Sequence, residues 1–129
     1  MPDAVVERLR RAGCVYAEDE AALLAEVRAN TSLLVALGDC AVDGNVSAMR
    51  DGVGGAAAVL ARAWAGPGGV PARAPGLPAL LDRVLPLHEQ VRVDLSLPGC
   101  PPRPDLLFLV LSDLVAGRAP DLTGLLRVG

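Results

Sequence analysis

The sequence predicts an α/β domain built on an open, mostly parallel sheet, and three stretches carry that expectation. "SLLVAL" (Ser32–Leu37) is apolar throughout its body, the pattern of a parallel strand covered on both faces. "EDEAALLAEVRAN", immediately before it, reads as a helix, so helix, short turn and strand make half of an αβ repeat. "VRVDLSL" (Val91–Leu97) alternates enough for a half-covered strand. Only these two strands can be placed from the sequence, and two alone would be marginal.

The first helix is expected over Glu18–Ala29. Its acids crowd the first turn, where the macrodipole favours them, and Asn30 is placed to stop it. Ala21, Leu24 and Val27 or Arg28 share one face, with Leu23 beside them. After Cys40, "AVDGNVSAMRDGVGG" reads as a loop holding about one helical turn. A short helix is expected over Ala56–Ala65. Residues 66–79, "GPGGVPARAPGLPA", hold four prolines and four glycines and read as an irregular excursion. "LLDRVLPLHE" then leads into the second strand, which "PGCPP" ends sharply. The last helix opens with Pro104 in its first turn and Asp105 beside it, and Gly117 is placed to end it before Pro120.

With 129 residues the chain suits one domain, residues 1–129, able to bury roughly 65–70% of its unfolded surface. A 52% hydrophobic and 21% charged composition fits a globular protein rather than a disordered one. Its core must be aliphatic, because Tyr16, Trp64 and Phe108 are the only aromatics. Net charge is −3, every cation is an arginine, and no basic stripe appears, so nucleic acid is an unsuitable partner. No apolar run approaches a membrane span, and "RLRR" near the start is not followed by the apolar stretch of a signal peptide. Three unpaired cysteines do not form a secreted disulfide framework, which makes the cytoplasm the expected location.

Two of those cysteines directly follow the predicted strands: Cys40 in "LLVALGDC" and Cys100 in "DLSLPGC". Ligands of open parallel sheets gather at the carboxyl ends of strands, so two thiols far apart in sequence can converge there. Gly38 and Gly99 allow close backbone approach, and Pro101 and Pro102 fix the chain past the second thiol.

"LLVALGDCAVDGNVSAMRD" and "LLDRVLPLHEQVRVDLSLPGCPPRPD" resemble the small, electron-transferring subunit of [NiFe] hydrogenases. The branch is that of the cytoplasmic NAD-reducing (bidirectional) enzymes, related to the 20 kDa subunit of NADH:ubiquinone oxidoreductase. The likeness runs from about Cys14 to the C-terminus. It implies a flavodoxin-like domain holding one [4Fe–4S] cluster beside the nickel–iron site of a large subunit, with electrons passing toward diaphorase subunits. It implies no activity for this chain alone. By position, Cys40 and Cys100 are two of the family's four ligands. FMN occurs within the range of that branch, but no motif here supports it.

The sequence also departs from that family. No C-x-x-C pair is present, so the implied ligand set is incomplete, and an N-terminally truncated domain is expected. "VVERLRRAG" stands where the family has an apolar strand ending in Glu-Gly. Cys14 lies near that point, at a position the family does not use; it is a subordinate metal candidate whose plainer role is to fill an apolar gap.

Competing readings are a cluster-free α/β interaction or assembly module, a truncated gene product, and a redox-sensing thiol protein. A zinc site from the cysteines and His88 is disfavoured, since no two of these residues lie close in sequence. Asp39, Asp43 and Asn45 are read as turn-capping residues and Glu18, Asp19 and Glu20 as dipole partners. "DGVGG" (residues 51–55) lacks the following Lys-Ser/Thr of a phosphate loop.

Overall fold

A computed structural model describes residues 14–66 and 78–125. The stretch "VVERLRRAG" and most of the Pro/Gly-rich excursion at 66–79 lie outside the described residues. The elements run β1 (Val15–Ala17), α1 (Glu18–Ala29), β2 (Val35–Leu37), α2 (Asp39–Asp43), α3 (Asn45–Ala48), a 3₁₀ turn (Met49–Val53), α4 (Gly55–Ala63), β3 (Leu80–Leu85), a second 3₁₀ turn (Leu87–Glu89), β4 (Leu95–Leu97) and α5 (Pro104–Val115).

The fold is mixed α/β with small sheets flanked by helices. Among the described residues the strands form two pairs: β2 with β4, parallel, and β1 with β3, antiparallel. In the parallel pair Val35 faces Leu95, Ala36 faces Ser96 and Leu37 faces Leu97. Both strands of this pair lie inside the stretches expected from sequence. β1 and β3 belong to stretches not expected to be strands, because β1 is three residues long and Asp82 and Arg83 interrupt the apolar pattern of β3.

β2 is apolar on both faces because it separates two cores. On one side Ala36 packs with Val15, Leu24, Ala41 and Leu87. On the other, Val35 packs against the cluster of Leu97, Leu106, Val110 and Leu122, which joins β4 to α5. An exposed strand would alternate polar and apolar positions; one between two cores cannot.

Local chemistry sets the helix ends. The Glu20 carboxylate accepts the Tyr16 and Ala17 N–H groups at 2.9 and 3.2 Å, occupying donors at the start of α1 and tying it to β1. That same carboxylate pushes the Tyr16 phenol above its usual range. The segment after Cys40 is more helical than its glycines suggest. Gly44 and Gly54 both sit at left-handed φ, of +86° and +103°, and divide it into short turns rather than abolishing them. The Arg50 guanidinium then donates to the carbonyls of Tyr16 and Leu81, and Asp51 accepts the Val84 N–H at 3.0 Å. This arginine–aspartate pair clamps the 3₁₀ turn onto β1 and β3.

A second clamp orients the parallel pair. Asp94 accepts the Leu34 N–H at 2.9 Å and an ion pair from Arg28 of α1. The Leu34 amide first, and the Arg28 guanidinium after it, hold the Asp94 carboxyl below the usual carboxylate range. A depressed folded-state pKa stabilises the protein above the unfolded value of about 3.9, and that stability is lost as pH falls through the folded value. The urea midpoint of the wild type should therefore exceed that of Asp94→Asn at neutral pH, with the difference closing under acid conditions. A gap that persists unchanged into strong acid would show that Asp94 does not act through its charge.

Candidate functional site: a two-cysteine rim

The carboxyl ends of β2 and β4 continue into the turns that bear Cys40 and Cys100. β2 leads through Gly38 into the short helix α2, whose second residue is Cys40. β4 leads through Pro98 and Gly99 to Cys100, followed by a cis peptide bond to Pro101. Parallel pairing places both turns at the same end of the pair.

Hydrogen bonds fix the turns to each other. The Gly38 N–H donates to the Leu97 carbonyl at 2.7 Å, continuing the ladder past the last residue of β2. One residue on, the Asp39 N–H donates to the Gly99 carbonyl at 3.2 Å, and the Asp39 carboxylate accepts the Gly99 N–H. Residues 39 and 99 thus form a reciprocal pair, and each immediately precedes a cysteine. Cys40 is half-buried and Cys100 exposed, and both are free thiols.

Glycine is required at 99. Its φ is +124°, and a Cβ there would lie 2.8 Å from the Pro101 carbonyl oxygen and from Pro102 Cα. At Gly38 a Cβ would meet the Gly99 carbonyl oxygen at 3.4 Å. The small residues beside the two cysteines let the turns close on each other.

Asp43 caps a turn as its sequence context implies: its carboxylate accepts the Asn45 N–H at 2.8 Å, an Asx turn. Asp39, expected to act in the same way, does something else and reaches across sixty residues to the second turn. No sequence signal distinguishes the two, since the partner is non-local. Replacing Asp39 by alanine orphans the Gly99 amide and should destabilise the fold by about 1–3 kcal/mol. It should also slow cross-linking of Cys40 to Cys100 by a short bis-alkylating thiol reagent. Asp39→Asn, which keeps an acceptor oxygen, should restore both; equal behaviour of the two variants would rule out the staple.

Cys14 is deeply buried, 3% exposed, at the start of β1. Burial pushes its thiol up, a hydrogen bond with the Ser47 side chain opposes the rise, and the nearby Cys40 adds to it. A thiol so placed is protonated and unreactive at neutral pH. His88 stands on the 3₁₀ turn after β3, exposed. Among the described residues, no three His, Cys, Asp or Glu side chains are grouped to hold a metal ion. The rim offers two sulfur donors.

The fold and rim define a class: α/β domains that present two thiols on the carboxyl edge of parallel strands. Within that class, the chain belongs to the NADH ubiquinone oxidoreductase, 20 Kd subunit family, whose model matches residues 11–114. It is 40% identical over 116 residues to the NAD-reducing hydrogenase HoxS subunit delta of Cupriavidus necator, covering 85% of this chain and 56% of that one. It is 31% identical over 104 residues to a subunit of the F420-non-reducing hydrogenase of Methanothermobacter marburgensis, covering 75% of this chain and 33% of that one. Its structure is similar to a chain of an NAD+-reducing [NiFe]-hydrogenase crystallised in the H2-reduced state, with a TM-score of 0.80 and 36% identity. That match covers 91% of this chain and 68% of the other. The chain therefore spans only about half, or less, of the length of these curated relatives. No helix among the described residues is long and apolar enough to cross a membrane.

Proposed function

We propose that this chain is an electron-transfer small subunit of a [NiFe] hydrogenase, in which Cys40 and Cys100 supply two of the four thiolates of a [4Fe–4S] cluster. The observation that carries the reading is the reciprocal pairing of Asp39 with Gly99, which holds the two cysteine turns together on one rim. Thiolate is the right donor for iron–sulfur chemistry, and neither Cys40 nor Cys100 is sealed in the core. Cys40 and Cys100 are half of what a cube takes, and the undescribed residues hold no cysteine, so the other two thiolates would come from polypeptide beyond this sequence.

When bound, such a cluster supplies one-electron transfer, and this chain's part is to position it and set its potential through burial and nearby amides. Asp39 fixes the separation of the two turns. Gly38 and Gly99 keep side-chain bulk away from the backbone between them. No bond-making chemistry falls to this chain. Its partners in this reading are a large subunit carrying the nickel–iron site and diaphorase subunits that reduce NAD, as the family resemblance implies; the similar chains are named for NAD-reducing and [NiFe] hydrogenases. Three free thiols suit a reducing compartment, which supports a cytoplasmic location.

The incomplete donor set gives a second reading its one specific support: a cluster-free module kept for assembly. Iron and acid-labile sulfide in the anaerobically purified complex containing this chain separate the two. The first reading expects about four irons and four sulfides more than the partner subunits hold when this chain is left out. A complex whose metal content is the same with and without it leaves the assembly role standing.

A further inference from the structure

We propose that the Asp39 carboxylate holds the redox potential of the cluster low, by placing an unpaired negative charge between the two cysteine turns and by keeping the Gly99 amide from sulfur. The inference rests on the iron–sulfur reading above and extends it to a residue that is not a ligand. Two properties of the rim point the same way.

The first is charge. Asp39 directly precedes Cys40, and its carboxylate accepts the amide one residue before Cys100. It is half-buried, so solvent and salt screen it less than an exposed charge. Among the described residues no arginine pairs with it. Arg103, the cation closest to Cys100 in the chain, is engaged by Asp105, while Arg28 and Arg92 pair with Asp94 and Arg50 with Asp51. Reduction of an iron–sulfur cluster adds one electron and forms no bond, so a fixed negative charge beside it disfavours the reduced state.

The second is the use of amides. A hydrogen bond donated to a cluster sulfur stabilises the added electron and raises the potential. The amides that flank these cysteines are committed elsewhere. Asp39 N–H donates to the Gly99 carbonyl, Ala41 and Val42 N–H both donate to the Gly38 carbonyl at 3.1 Å, and Gly99 N–H goes to the Asp39 carboxylate. The amide on each side of Cys40, and the one before Cys100, therefore bond to oxygen. After Cys100 come Pro101 and Pro102, which have no N–H to give. Asp39 is the side chain common to both properties, since it carries the charge and takes the Gly99 donor.

The test is a redox titration of the anaerobically purified complex containing this chain, followed by the electron paramagnetic resonance signal that Cys100→Ser abolishes. At the wild-type midpoint, Asp39→Asn should raise the ratio of reduced to oxidised cluster about tenfold, a midpoint rise of about 59 mV for one electron. Asparagine keeps an acceptor for the Gly99 N–H, so the turns stay joined while the charge is removed. Asp43→Asn removes an exposed carboxylate from the same short helix and should change the ratio less than about twofold. The proposal is overturned if Asp39→Asn leaves the midpoint unchanged or lowers it, or if Asp43→Asn shifts it equally. It is also overturned if Asp39→Asn loses the signal, which makes the carboxylate a requirement for assembly instead. An unshifted signal sinks this proposal alone, whereas a complex in which Cys100→Ser removes no signal sinks the iron–sulfur reading with it.

Discussion

Replacing Cys100 by serine should remove about four irons from the anaerobically purified complex, and Cys40→Ser should do the same, with the folded chain still incorporated. A cube that has lost one of four thiolates is labile, so either substitution alone has the full effect rather than half of it. Cys14→Ser is the informative control. Cys14 is 3% exposed, so its substitution should alter stability while leaving the iron content alone. Iron analysis on the three variants, beside circular dichroism of each purified chain, reads the result. Equal iron in wild type, C40S and C100S would end the cluster assignment, whereas iron lost only in C14S would move the site to β1.

The second large effect is expected at Leu97. It is the last residue of β4, 2% exposed, and packs with Leu106, Val110 and Leu122 beneath α5. Leu97→Ala should cost about 2–5 kcal/mol, from the lost transfer energy and the cavity left behind. That is a large fraction of the roughly 5–15 kcal/mol that holds a typical domain folded. Its carbonyl also accepts the Gly38 N–H, so loosening this residue should disturb the two cysteine turns as well. Val115→Ala, at a position 90% exposed, should shift the urea midpoint hardly at all, within about 0.5 kcal/mol. Matching losses at the two sites would mean that α5 is not seated on β4 as described.

Much of this architecture was legible because the signals are local. The bounds of α1 follow from three acids at its start and Asn30 at its end, and the structure gives Glu18–Ala29. The apolar run in β2 implied cover on both faces, and two separate cores supply it. α5 begins at Pro104, as its first-turn proline implied. What stayed hidden depends on partners distant in sequence. β3 holds Asp82 and Arg83 in mid-strand and exists because β1 and Arg50 bond to it, not because of its own periodicity. The turns after Cys40 looked like a loop since their glycines break a helix pattern without preventing single turns. Of the rim, the two cysteines could be found from strand ends and family likeness, but the Asp39 bond to Gly99 could not. A carboxylate's choice between the amide two residues ahead, as at Asp43, and one sixty residues away is decided by tertiary approach.

The ladder that joins residues 38 and 39 to 97 and 99 runs largely through peptide groups, with a single carboxylate as its side-chain contribution. Such a joint is insensitive to which side chain follows it. A lineage carrying this scaffold can exchange the residue at position 40 or 100 without unravelling the framework. Under the proposed cluster assignment, the thiols at these two positions can therefore change one at a time while the chain stays folded.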